Sequence, residues 1–333
     1  MGRIVVISTG GTIASRWTGS GFAAEADGRE VMATAPLPEG IAVEVVDLFS
    51  VNSPRLTTAH QLTLLRTVHE VLADPAVDGI VVTHGTDTLE ESAFLVDLHH
   101  HDARSVVFTG SQLPMGSTEG DGPGNLYDAL LTAATTRGLG VLIAFAGRVH
   151  AARGTMKTQA VALDAFADPS RELLGKVGFG KVTVLRQPQR PQALALPAMP
   201  ELPPRVDMVM HHADGDPVLL NAAVAAGARG IVLVGTGAGN ATPEIVEAVR
   251  EAVSRGVLVA LTTRVPAGPV TEIYTHGGAV DLVAAGAVPT GTLRAGQARI
   301  AVLSALLSSD SPVEQARVLR ASLSEEDPVL VDA

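Results

Sequence analysis

The sequence predicts an α/β protein: a larger N-terminal domain with a mostly parallel, twisted sheet flanked by helices, then a smaller C-terminal α/β domain. Three observations lead there. Short apolar runs alternate with stretches of helical period, the pattern of repeated strand–helix–strand units. Hydrophobic residues make up 46% but aromatics only 3%, so the core is assembled from Val, Ala, Leu and Ile, as buried parallel strands under Ala-rich helices are. Finally, 333 residues exceed one ordinary core, and the texture breaks once, at 187–204, where Pro, Gln and Ala dominate without a convincing element.

In order, strands are expected at 4–7, 43–46, 79–82, 105–108 and 140–144, with helices at 58–72, 88–98 and 125–135 between them and a strand at 181–185. Beyond the break, strands are expected at 205–210, 230–234 and 257–261, helices at 217–226 and 243–254, and closing helices at 295–307 and 313–323. The chain thus divides near residue 195: a catalytic domain over 1–195, a linker over 187–204, and a second domain over 205–333. The run His99-His100-His101 reads as a solvated helix end rather than a metal site, because adjacent helical residues cannot all face one ion.

Composition excludes several function classes. The formal charge is -11 with no basic block, so the electrostatic footprint of a nucleic-acid binder is missing. The absence of cysteine removes disulfides, thiolate catalysis and thiolate metal sites together. Arg3-Ile4-Val5-Val6-Ile7 runs straight into a glycine turn without a long apolar stretch or cleavage site, which reads as the first strand of a mature cytoplasmic protein. No run of about 18 apolar residues offers a membrane span.

In open parallel sheets ligands bind beyond the carboxyl ends of the strands, so the loops leaving those ends carry the chemistry. Thr9-Gly10-Gly11-Thr12-Ile13-Ala14 turns sharply on two glycines and puts the Thr12 hydroxyl at the crevice mouth. Thr83-His84-Gly85-Thr86-Asp87-Thr88 ends one strand and opens a helix, and Ser50-Val51-Asn52-Ser53 follows another. Each loop alone reads as a helix-capping turn. Their coincidence at one sheet edge, two threonines with a carboxylate and a serine, points to a polar site. Thr155-Met156-Lys157-Thr158 adds a cation. A threonine hydroxyl attacks well only when a neighbour accepts its proton, and a partly desolvated lysine beside another hydroxyl can do so. By itself, Lys157 reads as a surface lysine.

The first two loops with their preceding strands resemble the two signature segments of the bacterial-type L-asparaginase/glutaminase family. Asp121-Gly122-Pro123-Gly124-Asn125-Leu126-Tyr127, Lys157-Thr158 and Arg264-Val265-Pro266-Ala267-Gly268 match in order, so the resemblance spans nearly the whole chain. It implies hydrolysis of asparagine to aspartate and ammonia through a threonyl acyl-enzyme, without metal or cofactor. Thr12 is then the nucleophile, with Thr86, Asp87 and Lys157 as the second polar group. Substrate contacts fall to Gly11, Ser53, Thr86 and Asp87. Ser53 and Asp87 hold the α-carboxylate and α-amino groups, the latter by a charge-assisted contact. Backbone N–H groups near Thr12 and Thr86 are the oxyanion donors. Asn240 in Gly237-Ala238-Gly239-Asn240 matches the residue supplied by a neighbouring subunit, which implies a homodimer or homotetramer.

The sequence departs from the periplasmic-type pattern at three places. Phe22 stands where those members carry a tyrosine, Pro54 where they carry a glutamine, and Thr275 or an adjacent residue where they carry a glutamate. Tyr274 is a replacement for the lost hydroxyl, as in cytosolic-type relatives with a tyrosine from the partner chain; a plain packing role is the alternative. Two rival functions stay open. A catalytically weak member acting as an amino-acid-binding sensor is favoured by Phe22 and Pro54. A nucleotide-binding module rests on Gly235-Thr236-Gly237-Ala238-Gly239-Asn240, where a dinucleotide fingerprint wants a small residue in place of Asn240 and a carboxylate about 20 residues on.

Overall fold

The computed structural model describes residues 2–323, so the outermost positions of the expected domains, residue 1 and residues 324–333, lie outside them. The chain divides into two compact units after Pro188, and residues 187–204 carry no helix or strand.

In the first unit β1 (Gly2–Ser8) is apolar and buried from Ile4 onward, as a strand covered on both faces must be. A hairpin of β2 (Ser15–Trp17) and β3 (Phe22–Ala24) follows, then α1 (Gly28–Met32), held by an Asp27–Glu30 capping box, and β4 (Ile41–Asp47). Helix α2 (Thr58–Leu72) begins where Thr57 accepts from the His60 amide and buries Leu62, Leu64, Leu65, Val68 and Leu72 along one face. Then come β5 (Gly79–Thr83), α3 (Leu89–His99), β6 (Val106–Thr109), α4 (Gly122–Thr135) with Pro123 in its first turn, and β7 (Val141–Phe145).

These five long strands pair in parallel in the order β4-β1-β5-β6-β7. The sheet then continues antiparallel through β8 (Arg148–Ala151), β11 (Gly175–Gly178) and β12 (Lys181–Val184). Between them β9 (Met156–Lys157) and β10 (Phe166–Ala167) form a separate two-stranded pair. Of this extension the sequence suggested only the strand near 181–185. Its strands are four residues or shorter, and exposed lysines interrupt the β11–β12 edge, so no apolar period develops.

The second unit is a four-stranded parallel sheet in sequential order: β13 (Val206–Met210), β14 (Gly230–Gly235), β15 (Leu258–Thr263) and β16 (Val288–Pro289). Helices α5 (Val218–Ala225), α6 (Pro243–Ser254), α7 (Ala279–Ala284), α8 (Ala295–Ser308) and α9 (Pro312–Leu323) complete it. Helix α6 shows why its limits were readable: proline opens it, and Ile245, Val246, Ala248, Val249 and Ala252 form one buried stripe.

The histidine run needs correction. His99 and His100 are buried, and only His101 is exposed, because α3 is enclosed by packing through its last turn. His100 Nε2 bonds the Arg104 carbonyl at 2.9 Å. No group of three or more candidate metal ligands occurs among the described residues, and no helix among them is long and apolar enough to cross a membrane.

Candidate active site

Strand order places a topological switch at β1, because the chain leaves it for β4 on one side and β5 on the other. Loops diverging from such a point leave a crevice beyond the strand ends. The loop after β1 carries Thr12, the loop after β5 carries Thr86 and Asp87, and the turn after β4 carries Ser53.

These loops touch backbone to backbone. Gly11 has a left-handed φ of 86°, and a Cβ there would strike the Gly85 N and Cα, so neither conformation nor space admits a side chain. A Cβ on Gly85 would in turn lie 2.6 Å from the Ser53 hydroxyl. The glycines therefore act as contact surfaces that bring the Thr12, Thr86 and Ser53 segments into one cluster. Ser53 is buried, and its Oγ accepts from the Asp87 N–H at 3.2 Å, while the Thr88 hydroxyl donates to the Ser53 carbonyl at 3.2 Å. Thr88 stands at the N-cap of α3, yet its side chain makes no cap bond and fastens the β4 turn instead.

On β9, Lys157 extends its ammonium into this cluster. Nζ donates to Thr86 Oγ1 at 2.8 Å and to Asp87 Oδ1 at 2.8 Å. The lysine side chain is 16% exposed and the aspartate side chain 54%, so this ion pair lies at the crevice rim. The Thr86 hydroxyl donates a hydrogen bond to Gln112 Oε1 at 3.1 Å, and Gln112 is fixed through Nε2 to the carbonyls of Ala160 and Ala162. Behind it, Asp121 accepts from the amides of Gln112 and Leu113. Asn125 bonds Asp121, the Gly110 carbonyl and the Ala146 N–H, tying the loops after β6 and β7 together. His84, wholly buried at the end of β5, is pushed down to about 4 by that burial and is neutral at physiological pH. The Thr12 hydroxyl makes no hydrogen bond to any described residue.

Comparison with known proteins decides the lineage. Residues 3–190 match the family described as asparaginase, N-terminal, and residues 205–319 match the glutaminase/asparaginase C-terminal domain.

The chain belongs to the asparaginase family.

Among its relatives, the L-asparaginase of Bacillus licheniformis is 36% identical over 86% of this chain and 89% of its own length. L-asparaginase 2 of Escherichia coli is 32% identical over 93% of this chain and 90% of its own length. A crystal structure of a probable cytoplasmic L-asparaginase from Campylobacter jejuni superposes with a TM-score of 0.87 at 26% identity, covering 96% of this chain and 99% of that one. The two-domain α/β architecture is that of the asparaginases.

The remaining expected positions of this asparaginase lie as follows. Phe22 is on β3, half exposed, with its ring edge-on to Trp17 at 5.2 Å between centroids. Pro54 sits in the 3-10 turn Ser53–Arg55, exposed and directly after the buried serine. In the second unit, Tyr274 is 57% exposed on the segment between β15 and α7. Asn240 closes the loop after β14 by exchanging backbone bonds with Thr236 at 2.8 and 2.7 Å, and its Oδ1 is buried without a hydrogen-bond partner among the described residues. That closure bears on the nucleotide reading: the amides of Thr236, Gly239 and Asn240 are used within the loop, so they do not form a phosphate cradle.

Two residues escaped the sequence reading. Gln112 belongs to no motif and shows itself only through Thr86. Glu90 lies in the first turn of α3, its carboxylate accepts from the Lys157 backbone N–H, and burial raises it to about 7. A carboxylate directly after Thr86-Asp87-Thr88-Leu89 was the available signal.

Proposed function

We propose that this chain hydrolyses L-asparagine to L-aspartate and ammonia, with Thr12 as the nucleophile of a threonyl acyl-enzyme. The carrying observation is the Lys157 Nζ bond to Thr86 Oγ1 on a loop packed directly against the one bearing Thr12. With one ammonium proton given up to solvent, Nζ takes the Thr86 hydroxyl proton as Thr86 Oγ1 takes that of Thr12, and a relay of this kind turns a threonine into a useful nucleophile. Asp87 anchors the lysine in the resting state, and its exposed carboxylate face meets the substrate's α-ammonium. Ser53 and Gly11 line the α-carboxylate side, and backbone amides beside Thr12 and Thr86 receive the developing oxyanion. No metal or cofactor takes part.

In the working assembly, a homodimer or homotetramer, Asn240 and Tyr274 come from the neighbouring subunit, and the Tyr274 hydroxyl stands in for the one lost at Phe22. The name of the Campylobacter relative, a probable cytoplasmic L-asparaginase, supports a cytoplasmic location. Asparagine is preferred over glutamine, because an extra methylene carries the reacting carbonyl away from Thr12. The test is ammonia release from L-asparagine, L-glutamine and D-asparagine side by side. Activity on L-asparagine well above the others is expected, with a loss on the order of a thousandfold or more in Thr12→Ala. Equal turnover of both L-amides refutes the preference. Asparagine binding without ammonia release would leave the amino-acid sensor standing.

A further inference from the structure

Lys157 is gripped at both ends by one short stretch of chain. Its Nζ bonds Thr86 and Asp87, while its backbone N–H donates to the carboxylate of Glu90 in the first turn of α3. The strand it sits on, β9, is only two residues long and belongs to neither large sheet. Its ladder partner Phe166 is apolar and buried, and the neighbouring amide of Thr158 bonds Ala165. So short a strand has little cooperative stiffness of its own, and a fixed point on its backbone decides where a long flexible side chain begins.

We propose that Glu90 is a positioning residue of the reaction: its carboxylate pins the Lys157 backbone so that Nζ reaches the Thr86 hydroxyl. This rests on the relay assigned to Lys157 above. Among the described residues the Glu90 carboxylate bonds the Lys157 backbone rather than Thr86 or Asp87, so it acts through the lysine. Burial, the largest influence, and Glu91 on its own helix disfavour its charge, the backbone N–H and the ammonium of Lys157 favour it, and the balance raises it to about 7. A charged acceptor holds an N–H more firmly than a neutral one. The grip therefore tightens as pH rises through that value and loosens as it falls.

The experiment compares wild type, Glu90→Gln and Glu90→Ala by hydrogen exchange of the Lys157 amide and by asparagine turnover between pH 5.5 and 8.5. Protection of that amide should rise with pH in wild type and be lost in Glu90→Ala. In Glu90→Gln, whose amide oxygen accepts at every pH, intermediate protection without an inflection near 7 is expected. Turnover in Glu90→Ala should fall on the order of tenfold or more with KM little changed, and Glu90→Gln should restore most of it. Unchanged Lys157 protection in Glu90→Ala overturns the inference whether or not the enzyme is active. So does a wild-type inflection that persists in Glu90→Gln, or full turnover in Glu90→Ala. An inactive wild type with the expected exchange pattern would instead sink the assigned reaction and leave the pin standing.

Discussion

Thr12 and Thr86 sit on loops of the same make, each leaving a central parallel strand and each preceded by a glycine in contact with the other loop. Their hydroxyls live differently. Thr86 accepts from Lys157 on one side and donates a hydrogen bond to Gln112 on the other, whereas the Thr12 hydroxyl has no hydrogen-bond partner among the described residues. The contrast teaches a division of labour. Under the reaction proposed for this site, the attacking hydroxyl has no described partner, whereas the relaying one is fixed by two bonds. Both depend on the same interlocked backbones.

The largest way to break this contrast is to cut the fixed side. Lys157→Met keeps the stem and removes the ammonium, leaving Thr86 with Gln112 alone. Turnover should fall about a hundred- to a thousandfold, equivalent to roughly 3–4 kcal/mol in the barrier, as steady-state ammonia release reads. The next effect comes from the shared scaffold. Gly11→Ala puts a side chain at positive φ against the Gly85 backbone, and roughly 2–4 kcal/mol of stability should be lost, visible as a lowered unfolding midpoint together with lost activity. The smallest expected effect sharpens the free side: Tyr274→Phe should lower turnover about tenfold, near 1.4 kcal/mol, without changing the midpoint. Full turnover in that variant removes Tyr274 from the mechanism and leaves Thr12 to another neighbour.

Much of the fold was legible because local signals and packing agree. Helices α2 and α6 run over the stretches their caps and apolar stripes mark, and the buried parallel strands announce themselves as unbroken Val and Ile. The antiparallel extension was mostly silent, since two- to four-residue strands broken by polar residues leave no period to detect. His99 and His100 misled for a related reason: polar letters at a helix end suggest water, while their burial is set by the elements that cover α3. In the site, the loops could be read from their glycines and hydroxyls, and the resemblance joined Lys157 to them. Gln112 and Glu90 could not be read this way, because each acts on a residue more than 20 positions away along the chain through a single bond.

The contact between Gly11 and Gly85 also bears on how such an enzyme could be redesigned. Where main chains abut without intervening side chains, an added side chain at Gly11 or Gly85 has no space to occupy. Side-chain exchange has its room instead at Phe22 and Pro54, both exposed and outside the crossing of the loops.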